Sequence, residues 1–342
     1  MLDDLDYIAQ TDPDNALAVV AGMPEHLRHS FEPSNIEVTE ISNVIIAGMG
    51  GSGLAGLLFK TWAASSASVP IELIRQYTLP KYINQQSLVI ISSYSGNTEE
   101  TIACIQEALQ RNAQVVCIAA GGKLSEIAAK HKLVFFQLPE GYQPRMALFY
   151  GFRALYELFL NYNLVKTEIN FDTLADFGNT AIRSWLLQVV TRENYTKQLA
   201  EKLMGKTPVV YAGPTLAPAA YKWKIGFNEN SKNLAFWNEL PEFNHNEFLG
   251  WTSHPVEKPF AVVELQSDLD QSQVQKRFQT TNKLLSGQMP APIEVKVQGS
   301  TQLEQLVWAI LLGDFVSVYL GILNGVNPTR VDLIEKLKQG LK

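Results

Sequence analysis

Ser93, Ser95 and Thr98 place three hydroxyls in the stretch SSYSGNTEET, Ser92 to Thr101, and Gly96 among them permits a tight backbone turn. Thr98-Glu99-Glu100-Thr101 reads as the opening of a helix, and free helix N–H groups beside several hydroxyls make a cradle for a monophosphate. A second anion-binding pattern stands upstream. In IIAGMGGSGLAG, Ile45 to Gly56, residues Gly48, Gly50 and Gly53 satisfy G-x-G-x-x-G after a short apolar run, the pattern of a pyrophosphate seated on a helix N-terminus. A nucleotide site also needs an acidic residue about 20 positions on, at the end of the next strand, to hold a ribose. In PIELIRQYTLP, Glu72 lies mid-strand and the end carries Arg75 and Gln76. The glycine pattern lacks its second element, and a smaller phosphate is favoured.

These loops need a scaffold. Apolar runs at Asn43–Ala47, Ile71–Ile74, Leu88–Ser92, Val115–Ala119 and Leu133–Gln137 read as strands, with Thr98–Asn112 and Lys123–His131 as helices between them. Such alternation predicts an α/β fold, a parallel sheet with helices on both faces. The polar stretch NLVKTEINFDTLADFGNT reads as a linker, after which a helix is expected over Trp185–Met204 and strands at TPVVYAG, FAVVEL and IEVKVQG. The second half thus repeats the architecture of the first without a residue-level repeat. The expected division is an N-terminal helical segment over 1–40, a first domain over 41–165, a second over 180–325 and a C-terminal helix over 326–342. Two tandem α/β domains also imply a cleft between them, a preferred place for a small molecule.

Composition narrows the function classes. The 342 residues exceed one hydrophobic core, and 46% hydrophobic content supports full burial. A net charge of −6 and a pI near 5.5 give no sequence-wide basic field for a nucleic-acid backbone or an anionic membrane. Cys104 and Cys117 sit in apolar or helical stretches and read as free thiols of a reducing cytoplasm. The acidic N-terminus lacks the pattern of a secretory signal, and the sequon at Asn194 then carries no meaning. The apolar run Leu306–Leu323 approaches membrane-spanning length, but Asp314 and Ser317 interrupt it, which predicts a buried core helix.

Taken in order, GMGGSG, SYSGNTEET, PRMALFYGF, FNENSK and PEFNHNE resemble the bifunctional phosphoglucose/phosphomannose isomerases of the SIS (sugar isomerase) superfamily. The resemblance runs from about Ile45 to the C-terminus and implies two SIS-type α/β/α sandwich domains with parallel sheets, flanked by terminal helices. It implies that Ser93, Ser95 and Thr98 cradle the phosphate, that Gly50, Gly51 and Ser52 line the sugar side, and that Arg145 closes the site. It further implies Glu229 as the catalytic base and His245, donated across a homodimer interface, as the residue that opens the sugar ring. Thr329 would shape the pocket around C1 and C2. Lys336, with Lys338 as competitor, would supply a cation near the ring oxygen. Arg330 departs from the family, which often has proline there.

The residue types suit that chemistry. Aldose–ketose isomerisation moves a proton between C2 and C1 through a cis-enediol and needs one carboxylate poised over both carbons. Ring opening needs proton exchange near neutrality, for which histidine is suited. Taken alone, Glu229 three residues before Lys232 also fits a helix-surface ion pair, Arg145 an ordinary ion pair, and His245 a loop hydrogen-bonding hub. Glu247 reads as structural, and His26, His29, His131 and His254 have no such context. No metal-ligand spacing is present, so a cofactor-free enzyme is expected rather than a zinc-dependent or cupin-type one. The rivals are an SIS-type regulator that binds a sugar phosphate without converting it, a single-specificity isomerase, and an amino-sugar isomerase on the same fold.

Overall fold

The computed structural model describes residues 1–33, 40–253 and 259–341; His254 lies outside them. Helices α1 (Leu5–Thr11) and α2 (Ala16–Gly22) open the chain. Two compact units follow from the contacts: Met23–Ala175, and Met1–Gly22 together with Asp176–Lys342.

The Met23–Ala175 unit is built on a five-stranded parallel sheet ordered β2-β1-β3-β4-β5, with β1 (Asn43–Gly48), β2 (Ile71–Ile74), β3 (Ser87–Ser92), β4 (Gln114–Ala119) and β5 (Val134–Gln137). Its central strands read NVIIAG, SLVIIS and QVVCIA because both sheet faces are covered, which leaves no polar side to alternate with. Helices α3 (Gly50–Ala63), α4 (Glu99–Gln110), α5 (Gly122–His131) and α6 (Leu148–Asn161) complete it. Register pairs Gly48 with Ser92, so the glycine-rich loop and the hydroxyl-rich loop leave neighbouring strands side by side. The strand order reverses between β1 and β3, the place where open α/β sheets take ligands. Both cysteines are free and buried here, and burial pushes their thiols up to about 11 and about 12.

Helix α7 (Phe171–Ile182) leads onward through a stretch the sequence reads as linker. Its apolar residues Phe171, Leu174, Ala175 and Ile182 are buried, and the polar residues interleaved with them mask that stripe. The helix expected over Trp185–Met204 is also shorter than its pattern: only α8 (Tyr195–Leu203) is α-helical. It starts where the Asn194 side chain accepts the Thr196 and Lys197 N–H groups, so the sequon asparagine is a buried helix cap.

The second unit has a four-stranded parallel sheet, β7-β6-β8-β9, from β6 (Thr207–Ala212), β7 (Phe236–Glu239), β8 (Phe260–Gln266) and β9 (Ile293–Lys296). Helices α9 (Ala217–Glu229), α10 (Glu247–Gly250), α11 (Ser272–Leu284), α12 (Gln302–Leu323) and α13 (Asp332–Gly340) follow in turn. Strand β7 is missing from the sequence reading because FWNE is four residues at a sheet edge with Phe236 exposed. Helix α12 carries the long apolar run, and its membrane-like window is 100% buried. Asp314, the interruption in that run, forms a buried ion pair with Lys222 of α9.

Glu264 on β8 is a second buried carboxylate; its Oε2 accepts from Gln266 Nε2 at 2.9 Å and Asn282 Nδ2 at 3.0 Å. Burial pushes its pKa up to about 7 from 4.5. Between those values the folded chain keeps a proton that the unfolded chain releases, so this group's contribution to stability falls as pH rises through that window. Glu264→Gln keeps an oxygen for both donors and removes the ionisation. We expect its Tm to exceed the parent's by about 5 °C at pH 8 and to match it near pH 5; an equal difference at both pH values would contradict this account.

Candidate active site

At the β1/β3 end of the first sheet, the structure brings together seven residues singled out from the sequence. Ser93 is buried and its Oγ lies 2.8 Å from Thr98 Oγ1, while Thr98 is the N-cap of α4 and makes no side-chain cap bond. Its hydroxyl and the first α4 N–H groups therefore face the loop without being spent on each other. Ser95 is exposed, and its Oγ accepts from Asn97 N at 3.3 Å. Gly96 has φ +65°, and a Cβ there would lie 1.7 Å from Gly121 O, so only glycine allows the turn.

The glycine-rich loop supplies the other wall. Gly50 and Gly51 open α3, and Ser52 Oγ accepts from Tyr94 N at 2.9 Å, which leaves the Ser52 hydroxyl hydrogen to donate. A Cβ on Gly51 would stand 2.5 Å from Pro144 O, so the backbone of α3 lies against the loop that carries Arg145. Arg145 is 1% exposed, on a 3-10 turn Pro144–Met146, so it is no surface ion-pair residue. Two helix N-termini and several hydroxyls, with the turn that carries Arg145 against α3, thus lie at the ends of β1 and β3, an arrangement suited to an anion.

At the matching place of the second sheet, beyond the ends of β6 and β8, stands a carboxylate. There Asp270 Oδ1 accepts Thr215 N at 3.1 Å, and its carboxylate packs against the backbone of Gly213. A carboxylate in that place repels phosphate, so of the two crevices the first is the one fit for it.

In the second unit, Glu229 ends α9, half-buried, and the residues after it are fixed to α12. Asn230 Nδ2 donates to Ser317 Oγ at 2.8 Å, Ser231 Oγ to Ser317 O at 2.7 Å, and Asn324 Nδ2 to Ser231 O at 3.1 Å. Earlier on α9, Trp223 Nε1 donates to Ala309 O at 2.7 Å, and Lys222 pairs with Asp314. A carboxylate at the end of so fixed a helix has a defined position, as proton transfer at carbon requires.

His245 is exposed on the 3-10 turn Glu242–His245. Its neighbours are anchored. Asn244 Nδ2 donates to Thr281 Oγ1 at 2.9 Å, while Glu247 accepts from Tyr211 OH at 2.5 Å and Asn238 Nδ2 at 2.6 Å. Both Glu247 oxygens are so engaged, consistent with a structural role; burial, then the Glu247 charge, raises the Tyr211 pKa. Thr329 is half-buried in a turn closed by Asn327 Oδ1, which accepts Thr329 N at 2.9 Å. Arg330 pairs with Asp332 at 2.8 Å.

Helix α13 buries none of its residues. Lys338 pairs with Glu335 at 2.9 Å, whereas Lys336 makes no hydrogen bond or ion pair among the described residues. The second unit thus orders the surroundings of Glu229, His245 and Thr329 and leaves Lys336 on an exposed helix. Sequence reasoning missed Tyr94, which bonds both to Ser52 and to the loop after β5; its one signal was an aromatic inside a hydroxyl-rich turn.

Comparison with known proteins adds an independent line. An SIS domain family matches residues 37–158, and the bacterial phospho-glucose isomerase C-terminal SIS domain family matches residues 192–341. A bifunctional phosphoglucose/phosphomannose isomerase of Caldicellulosiruptor bescii is 34% identical over 334 residues, covering 94% of this chain and 97% of that protein. Its counterpart in Aquifex aeolicus is 33% identical over 321 residues, covering 93% and 97%. Among solved structures, a glucose-6-phosphate isomerase-like protein from Thermus thermophilus superposes with a TM-score of 0.67 at 18% identity, covering 99% of this chain and 98% of that one, a likeness of fold.

Proposed function

The chain belongs to the bifunctional phosphoglucose/phosphomannose isomerase family, and we propose on that basis that it is an aldose–ketose isomerase interconverting glucose 6-phosphate and mannose 6-phosphate with fructose 6-phosphate. The observation that carries this reading is a likeness to such isomerases along nearly the whole chain, joined to an anion cradle in the first unit. In the proposed reaction, Ser93, Ser95 and Thr98 hold the phosphate, Gly50, Gly51 and Ser52 border the sugar, and Arg145 supplies positive charge. His245 exchanges protons with the ring oxygen and the anomeric hydroxyl to open the ring.

Glu229 then takes the proton from C2 of the aldose. The C2 electrons form the C1–C2 double bond of the cis-enediol, and O1 gains a proton. Returning the proton to C1 while O2 loses its own gives the ketose. Lys336 and Arg145 are the cations offered to the developing oxyanion. Serving both C2 epimers with one base requires the enediol to turn about C2–C3, and Thr329 leaves room for it. These steps draw on side chains alone, so no metal or cofactor is invoked.

We also place the enzyme in the cytoplasm as a homodimer with His245 donated to the partner's site. The exposed apolar residues Leu333 and Leu337 of α13, 81% and 62% accessible, support association. The functional reading is tested by coupled assays with glucose 6-phosphate and mannose 6-phosphate as separate substrates, with and without a chelator. Turnover of both, unchanged by the chelator, is expected. Turnover of neither would leave a sugar-phosphate-binding regulator, and turnover of one a single-specificity isomerase.

A further inference from the structure

Separate segments leave the carboxyl ends of β1, β3, β4 and β5, and Tyr94, just after β3, ties them together. Its N–H donates to Ser52 Oγ at 2.9 Å and its carbonyl accepts from Ala120 N at 2.8 Å. Its hydroxyl donates to Pro139 O at 2.8 Å and accepts from Tyr142 N at 2.9 Å. The loop after β5 lies two strands from β3 in the sheet, about 10 Å, a gap that a long side chain with a polar tip spans. Tyr94 is buried, and burial raises the phenol's pKa, so the hydroxyl keeps the proton it donates. What that tip holds leads directly to Arg145. Gln143 is extended, with φ −67° and ψ 139°, and Pro144 fixes its own φ. The turn then rests on α3: a Cβ on Gly51 would lie 2.5 Å from Pro144 O and 2.9 Å from Arg145 N.

We propose that Tyr94 is a positioning residue for Arg145: its hydroxyl pins the loop from Pro139 to Tyr142, and that loop, pressed on the α3 backbone, sets where the guanidinium meets the anionic substrate. The proposal rests on the reading of Arg145 given above. Only Gln143 and Pro144 stand between the pinned amide and Arg145, so a shift of Tyr142 reaches the arginine with little slack. The residue has a second task, and the two are carried by different atoms. Its main chain, flanked by Ser93 and Ser95, fastens the cradle to Ser52 and Ala120, while its hydroxyl fastens the arginine loop. Phenylalanine meets the first demand and not the second. Serine and threonine carry a hydroxyl without the reach.

Steady-state kinetics on fructose 6-phosphate, read with Tm, test this. Tyr94→Phe, which keeps the ring and the main-chain bonds and loses the hydroxyl, should raise KM about 10-fold with kcat within about 3-fold of the parent. Gly141→Ala disturbs the same loop from the solvent side: a Cβ there has open space, but the φ of +94° does not suit alanine. It should raise KM a few-fold, and it decides the matter if Tyr94→Phe does not fold. A merely structural role predicts a lowered Tm and less active protein at the parent KM; that result in Tyr94→Phe, or in Gly141→Ala where Tyr94→Phe cannot be measured, overturns the proposal. Arg145→Met, which keeps the stem and removes the charge, is measured alone and combined with Tyr94→Phe. The combination should show the KM of Arg145→Met within about 2-fold, because the hydroxyl then has no guanidinium to place. Increases that multiply would show Tyr94 acting on the cradle instead and would overturn the proposal. If Arg145→Met keeps the parent KM, the reading of Arg145 has failed and takes Tyr94 with it. If it raises KM while Tyr94→Phe does not, only the role of Tyr94 is lost.

Discussion

Glu229→Gln should lower kcat by at least about 10³-fold, roughly 4 kcal/mol, while the substrate still binds. The size follows from the chemistry: one carboxylate is asked to remove and return a proton at carbon, and an amide of nearly the same shape does neither. The mounting of the residue makes the experiment clean. Asn230 and Ser231 are buried and bonded to α12, and Lys222 and Trp223 hold the preceding turns. The substitution therefore changes one half-buried carboxylate and leaves the helix end in place. A loss confined to KM would show that Glu229 binds rather than reacts. A loss of Tm in step with kcat would show that it holds α9.

Removing the cradle hydroxyls should do the reverse. Ser95→Ala combined with Thr98→Ala is expected to raise KM for the phosphorylated sugar about 10- to 100-fold, from lost hydrogen bonds of about 1–3 kcal/mol in all, with a smaller change in kcat. Ser95 is exposed and Thr98 makes no side-chain cap to α4, so the main folding cost is the bond of Thr98 Oγ1 to the buried Ser93 Oγ. Tm within a few degrees of the parent is expected alongside the raised KM. Normal substrate affinity in a folded double variant would move the phosphate to another site.

The contrast between these two sites shows what a sequence discloses. The cradle is local: hydroxyls, a glycine for a left-handed turn and the start of a helix all fall within Ser92–Thr101, and the structure assembles them as their spacing predicts. Strands β1, β3 and β4 were legible for a similar reason, since a strand covered on both faces is an unbroken apolar run. Strand β7 was not, because an exposed edge strand of four residues needs no such run. Helix α7 hid in a polar stretch because only one stripe of it is buried. The helix expected from Trp185 begins at Tyr195 because a buried asparagine caps it there, a choice that periodicity does not encode. Glu229 was singled out by resemblance, not by pattern: what gives it a fixed place is α12, far along the chain. His26 had no context at all in the sequence, since the Tyr150 ring it stacks on reaches it only through tertiary packing.

The central claim is that the Glu229 carboxylate itself carries hydrogen between C2 and C1. Solvent deuterium incorporation at C2 of mannose 6-phosphate, followed with the parent enzyme and with Glu229→Gln in heavy water, tests it most directly. The account predicts ready wash-in with the parent and a rate lower by at least about 10³-fold with the variant, at retained substrate affinity. Wash-in at the parent's rate with Glu229→Gln would contradict it and would pass the role of base to Glu242 or Glu247.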